Sequence, residues 1–244
     1  MNKSKIIVTA GGTSEHIDKV RKITNSSSGK LGLAIVNELL ETREDVETIF
    51  YICSHKSEKP NNPKVKIIEI EGTMDLKQVV EKILTTEKID YFIHSMAVSD
   101  YMVKNVTNSK LLAESIREQN TENIEESIKN NQKIITSSKI SSNEQNLIIM
   151  LEPTPKIISV IKKISPETCL VGFKLLDGVG EEELIEVATK LREKNNCELV
   201  VANDLENIRR GNHKAFIIDR NGEKIIANGK EDIAKKLVRR MYND

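Results

Sequence analysis

Residues 5–43 read KIIVTAGGTSEHIDKVRKITNSSSGKLGLAIVNELLETR, and this stretch decides the fold. Lys5–Thr9 is a short aliphatic run closed by Ala10-Gly11-Gly12-Thr13, the pattern of a buried strand entering a tight turn. From Ser28 onward, Leu31, Ala34, Ile35, Leu39 and Leu40 fall on one side of a period of about 3.6 residues, which predicts an amphipathic helix. A buried strand followed by a helix is the opening unit of an α/β domain.

The same rhythm continues outward. Val46–Ile52, Val65–Ile70 and Ile89–His94 read as strands, and Thr73–Leu84 reads as a helix with Thr73 as cap and Asp75 in its first turn. After an interruption the pattern resumes with Leu147–Leu151 (strand), Lys156–Ile164 (helix), Cys169–Phe173 (strand), Glu181–Lys194 (helix) and Glu198–Ala202 (strand). Strands alternating with helices predict a parallel sheet with helices on both faces. The interruption, residues 102–146, is rich in Asn, Ser, Glu and Lys and poor in aliphatics, as expected of a mobile flap insertion with one or two exposed helices, or of partial disorder. Near the end, AFIIDRNGEKIIA places two strand-like runs around Asn221-Gly222, a pair suited to the positive φ of a tight hairpin, and Glu231–Met241 closes the chain as a helix. One α/β domain over residues 1–244, with a flap and a C-terminal β-hairpin and helix (about 214–242), is the expectation.

Composition narrows the function. Lysine plus arginine and aspartate plus glutamate both number 37, so no net field draws the chain to nucleic acid or an anionic membrane. Aromatics make up 3% and tryptophan is absent, which argues against stacking platforms for single strands. The apolar runs are strand-sized, so a membrane span is not expected, nor is a signal peptide. Cys53, Cys169 and Cys197 form no C-x-x-C pair and read as cytoplasmic free thiols. His16, His55, His94 and His213 lack ligand spacing, so no protein metal site is expected.

Ser27, Ser28, Gly29 and Gly32 sit where a loop becomes a helix. Helix N-termini carry unpaired N–H groups and partial positive charge, so the stretch suits a phosphate; serine is equally an ordinary helix cap, and both readings stand. Neither G-x-x-x-x-G-K-[ST] nor G-x-G-x-x-G is present. Gly11 and Gly12 end the first strand, Asp18 and Arg21 lie in the connection to the serines, and Ala97–Asp100, Phe173 and Asn203-Asp204 also follow or end strands. Ligands of open parallel sheets bind outside the carboxyl ends of the strands, which would gather these groups on one edge.

The stretch VTAGGTSEHIDKVRKITNSSSGKLG (Val8–Gly32) closely resembles the signature of the phosphopantothenate–cysteine ligases. MAVSDY (Met96–Tyr101), KISS (Lys139–Ser142), PTPKII (Pro153–Ile158), VGFK (Val171–Lys174) and VAND (Val201–Asp204) follow in family order, so the likeness covers nearly the whole chain. It implies a Rossmann-like, homodimeric, cytoplasmic ligase. The carboxylate of 4′-phosphopantothenate would attack the α-phosphate of CTP, expelling pyrophosphate. The amine of L-cysteine would then displace CMP from the acyl-cytidylate. Mg²⁺ would accompany the triphosphate. The resemblance assigns catalysis to Asn25 and to Lys139 on the flap. It assigns nucleotide binding to Gly11, Gly12, Ser27, Ser28, Gly29, Gly32, Ala97, Asp100, Phe173, Lys190 and Lys194, and substrate contacts to Arg21 and Asn203. It further implies a stand-alone ligase, with the flavin-dependent decarboxylase of the pathway on a separate polypeptide. Two other classes stay open on the residues alone: an NAD(P)-dependent oxidoreductase, which the missing G-x-G-x-x-G disfavours, and a non-catalytic nucleotide-binding regulator.

Overall fold

Ile6, Ile7 and Val8 are fully buried, and because successive strand residues face opposite ways, a strand with no exposed face must be covered by helices on both sides. The computed structural model describes residues 3–119 and 123–243 and shows that arrangement. In chain order the first half comprises β1 (Ser4–Ala10), β2 (Ser14–His16), β3 (Lys22–Thr24), α1 (Lys30–Thr42), β4 (Val46–Ser54), β5 (Val65–Ile70), α2 (Thr73–Thr86) and β6 (Tyr91–His94). The insertion holds β7 (Tyr101–Asn108), α3 (Ser109–Gln119), α4 (Ile124–Lys129) and β8 (Leu147–Pro153). The second half continues with α5 (Ile158–Ile164), β9 (Cys169–Leu176), α6 (Glu181–Asn195), β10 (Leu199–Asp204), α7 (Leu205–Arg209), β11 (Lys214–Asp219), β12 (Lys224–Asn228) and α8 (Lys230–Met241).

The main sheet has eight strands in the order β12-β11-β10-β9-β6-β1-β4-β5. From β5 to β10 all pairings are parallel, whereas β11 and β12 join antiparallel. The chain steps from β1 outward to β4 and β5, then returns to β6 on the other side of β1. That reversal leaves a crevice between the carboxyl ends of β1 and β6.

Alternation along β1 divides the core. Ile6, Val8 and Ala10 join Ile35, Leu39 and Leu237 beneath α1 and α8, while Ile7 joins Leu76, Val80, Ile161 and Leu184 beneath α2, α5 and α6. Each valine, leucine or isoleucine among them, removed from water, contributes about 1.5–3 kcal/mol.

Four details differ from the sequence reading. Leu147–Leu151 is a strand but lies outside the main sheet, pairing as β8 with β7 in a separate antiparallel ladder rooted at Tyr101↔Pro153. The helix at Thr73 is capped by Gly72, whose N–H donates to Asp75 at 3.2 Å, and Thr73 is instead buried in the first turn. In the terminal hairpin, Gly222 takes positive φ (79°) but Asn221 does not; the Asp219 carboxylate accepts from the N–H groups of Asn221 and Glu223, both at 2.9 Å, and holds the turn. Between β1 and α1 the short pair β2–β3 forms a hairpin whose three-residue strands leave no periodicity to read.

Candidate functional site

The crevice is built from backbone first. β1 ends at Ala10, and Gly11 adopts a φ of 85°, a left-handed geometry that glycine enters without steric cost. The Gly11 carbonyl accepts from Ala97 N–H at 2.8 Å, and Ala97 O accepts from Thr13 N–H at 3.1 Å, so Gly12 and Ala97 form a parallel bridge across the exits of β1 and β6. Asn25 is tied to both exits: its N–H donates to Thr13 O at 3.1 Å and its Nδ2 to Ala97 O at 3.3 Å. A Cβ on Gly12 would fall 2.0 Å from Asn25 O, and one on Gly11 2.0 Å from Ser57 Oγ.

The serine run then enters α1. Gly29, at a φ of 74°, occupies the N-cap position, and no side chain caps the helix. Ser26, Ser27 and Ser28 are exposed, while Gly29 is buried. The run is therefore not spent on capping, and the first N–H groups of α1 remain available to an anion. Gly32 brings α1 onto the end of β1: its Cβ would stand 2.7 Å from Ala10 Cβ and 3.1 Å from Ser95 Oγ. Lys30 adds positive charge beside this N-terminus and pairs with Glu58 at 3.5 Å.

The other expected residues distribute unevenly. Phe173 is half-buried, two residues beyond the Ile93↔Val171 pair and so level with the exit of β6. Asp100 is exposed and ion-paired with Lys156. Asn203, buried at the carboxyl end of β10, bonds His213 Nε2 at 3.1 Å. Arg21 lies in the β2–β3 turn, pairing with Asp18 at 3.6 Å and donating to Ile140 O at 3.1 Å. Lys139 is exposed next to that contact. Lys190 and Lys194 are not brought to the crevice of their own chain. α6 runs back across the sheet at about 1.5 Å per residue, setting them about 13 Å and about 20 Å along the axis from Glu181, and Lys190 pairs with Glu186.

Residues not singled out from the sequence complete the surroundings. Thr13 Oγ1 accepts from Ser99 N–H at 2.8 Å and shares a hydrogen bond with Ser99 Oγ at 2.9 Å, locking the β6 exit loop. Glu15, buried, accepts from the Thr73 N–H at 2.9 Å and hydroxyl at 2.7 Å, tying the β1 exit to α2. Ser54 and Ser57, joined at 2.7 Å, wall the crevice behind Gly11. Ser54 ends β4, so the rule that ligands gather at carboxyl strand ends would have found it.

Titratable groups are settled by these contacts. Burial lowers the His94 pKa to about 4, so the ring is neutral, and its Nδ1 meets Thr9 Oγ1 at 2.9 Å. Backbone N–H donors, Val20 first, hold Asp18 below the usual carboxylate range. The bond to Glu71 raises His16.

This geometry defines a Rossmann-like domain whose candidate crevice lies at the point where strand order reverses, beside an uncapped helix N-terminus. The family model of the DNA/pantothenate metabolism flavoprotein C-terminal domain matches residues 1–137 and 130–243, and the chain belongs to that family. The phosphopantothenate–cysteine ligase motifs quoted above point to the same family. The coenzyme A biosynthesis bifunctional protein CoaBC of Thermococcus kodakarensis is 35% identical over 235 residues, covering 96% of this chain and 47% of the relative. Its Escherichia coli K12 counterpart is 25% identical, covering 96% and 50%. The chain thus spans about half the length of the curated relatives it matches. Among solved structures, the DNA/pantothenate metabolism flavoprotein from Streptococcus pneumoniae superposes with a TM-score of 0.83 at 36% identity, covering 98% of this chain and 99% of that one. The Cab2 mutant H337A, solved in complex with phosphopantothenate-cysteine, shares the fold with a TM-score of 0.70 at 16% identity, covering 98% and 87%. Among the described residues, no helix is long and apolar enough to cross a membrane.

Proposed function

We propose that this chain is a phosphopantothenate–cysteine ligase of coenzyme A biosynthesis, activating 4′-phosphopantothenate with CTP and passing the acyl group to L-cysteine. The observation that carries this reading is the uncapped start of α1 beside Gly11, Gly12 and Asn25 at the β1–β6 crevice. A carboxylate attacking a triphosphate is an anion approaching a polyanion, and its barrier falls when fixed donors and positive charge await the transferring group. The N-terminus of α1, Ser27, Ser28 and Gly29 supply the donors, and Lys30 and Lys139 supply charge. Asn25 is neutral and can both donate and accept, which suits an acyl-nucleotide that must be held without proton transfer. Ala97, Asp100 and Phe173 would flank the nucleoside.

The first step forms a bond from carboxylate oxygen to the α-phosphorus and breaks the bond to pyrophosphate. In the second, the cysteine amine attacks the acyl carbon, CMP departs with the bonding pair, and the proton released by the amine passes to the departing phosphate or to water. Among the described residues no group of three or more His, Cys, Asp or Glu gathers to hold a metal. Mg²⁺ would travel with the triphosphate. A homodimer gives Lys190 and Lys194 a role if they reach a nucleotide on the partner subunit.

The test is pyrophosphate release with 4′-phosphopantothenate, cysteine and Mg²⁺, run in parallel with CTP and ATP. Release with CTP that depends on phosphopantothenate supports the full reading. Release with ATP alone keeps the chemistry and overturns the nucleotide. Silence with both, in a folded protein that binds CTP, favours a nucleotide-binding regulator.

A further inference from the structure

The β2–β3 turn holds a carboxylate whose bonds exceed what the turn requires. Asp18 has a side chain 1% exposed, and an anion so far from water needs donors on both oxygens. Its Oδ1 accepts from Val20 N–H at 2.8 Å and Arg21 N–H at 2.7 Å, which closes the turn. Its Oδ2 is turned to a segment more than a hundred residues away, accepting from Ile140 N–H at 3.1 Å. Two further bonds join the same partners. Arg21 Nη2 donates to Ile140 O at 3.1 Å, and Lys19 N–H donates to Ser138 O at 3.0 Å. Ile140 is itself buried, at 2% exposure. Ser138 and Ile140 are thus fastened on either side of Lys139, which stays exposed between them.

We propose that Asp18 is a positioning residue that latches the 138–140 segment to the β2–β3 turn and so fixes where Lys139 presents its charge. The proposal rests on the ligase reading for the role of Lys139, but the latch itself is a property of the chain alone. Arg21, expected from the resemblance to touch substrate, serves in this arrangement as the second strut of the latch.

Asp18→Asn separates the two halves of the device. An amide oxygen can still accept from Val20 and Arg21, but its NH₂ then faces the Ile140 N–H and the Arg21 guanidinium, all donors. The first measurement is trypsin cleavage of the Lys139–Ile140 bond, mapped by mass spectrometry, with circular dichroism as a control for folding. Cleavage at least tenfold faster in folded Asp18→Asn is expected; an unchanged rate overturns the latch. Should Asp18→Asn fail to fold, Arg21→Gln removes the strut to Ile140 O and leaves the Lys139–Ile140 bond cleavable, and the same cleavage comparison decides. The second measurement is a double-mutant cycle with Lys139→Gln in the pyrophosphate assay. Asp18→Asn is expected to lower kcat at least tenfold in the wild-type background and less than twofold beside Lys139→Gln. Equal losses in both backgrounds overturn positioning through Lys139, because a merely structural role acts whether or not the lysine is present. A wild-type protein silent in the assay removes the ligase reading, and the cleavage result then decides the latch by itself.

Discussion

The carbonyl oxygen of Asn25 stands 2.0 Å from where a Cβ on Gly12 would project, so the glycine after β1 is the space into which the asparagine settles. Both partners in that contact are main chain, or would be attached directly to it, and no rotamer change relieves it. Gly12→Ala is expected to displace Asn25, costing about 1–3 kcal/mol of stability and lowering turnover by about two orders of magnitude. Thermal melts and pyrophosphate release read the two effects separately. An alanine variant with wild-type turnover would detach Asn25 from the chemistry.

Asn25→Asp tests the same residue by charge. The amide now donates to Ala97 O at 3.3 Å; a carboxylate would place an anion against that carbonyl and against any bound phosphate. Turnover is expected to fall on the order of a hundredfold, the scale of one lost electrostatic contact of about 3 kcal/mol, with little change in the melting temperature. A melting temperature that collapses together with activity would mark Asn25 as structural.

Lys139→Gln should cost a similar factor, and the structure says why other lysines of the insertion are poor substitutes. Lys133 is engaged by Glu118 and Glu114, and Lys129 by Glu125. Steady-state kinetics in varied CTP check this; an unaltered rate would pass the role to a different cation such as Lys110.

His94 gives the fold a pH dependence. Its folded pKa is about 4, against the ordinary 6.5, because burial disfavours the charged ring. Between those values the unfolded chain binds a proton that the folded chain refuses. The stabilisation is complete above pH 6.5 and is lost as pH falls toward 4, amounting to on the order of 3 kcal/mol. Melting temperatures of wild type and His94→Asn from pH 7 to pH 4.5 should converge as pH falls. Parallel curves would show that His94 contributes nothing to the slope.

Long, strongly patterned elements were legible in the sequence because burial imposes their periodicity. β5 runs over Val65–Ile70 as expected, and β4 and α2 extend only two residues beyond their predicted ends, Val46–Ser54 and Thr73–Thr86. The phosphate-like character of residues 27–32 was legible as composition, but whether serine capped α1 was not. That choice depended on Gly29 taking a left-handed φ, which small polar residues around it permit but do not announce. β7, and the pairing of β8 with it outside the main sheet, were obscured for another reason. Tyr101 and Leu151 remain exposed, at 57% and 47%, so their ladder carries no clean alternation of apolar and polar residues. The Asp18–Ile140 bond joins residues 122 positions apart and leaves no local trace at all.

The insertion leaves and rejoins the domain at one doorway, Tyr101 facing Pro153, with Asp100 O accepting from Thr154 N–H at 3.0 Å just inside it. A segment tethered at such a narrow neck can lengthen, shorten or be recast without a single residue of the eight-stranded sheet changing neighbours, since closing a longer loop across a fixed gap costs only about 0.6 kcal/mol per doubling. The insertion is therefore free to drift in sequence outside residues 138–140, which Asp18, Lys19 and Arg21 hold to the β2–β3 turn, while the crevice stays put. Swapping the stretch between relatives at the 101–153 neck would be the natural way to move one property without disturbing the other.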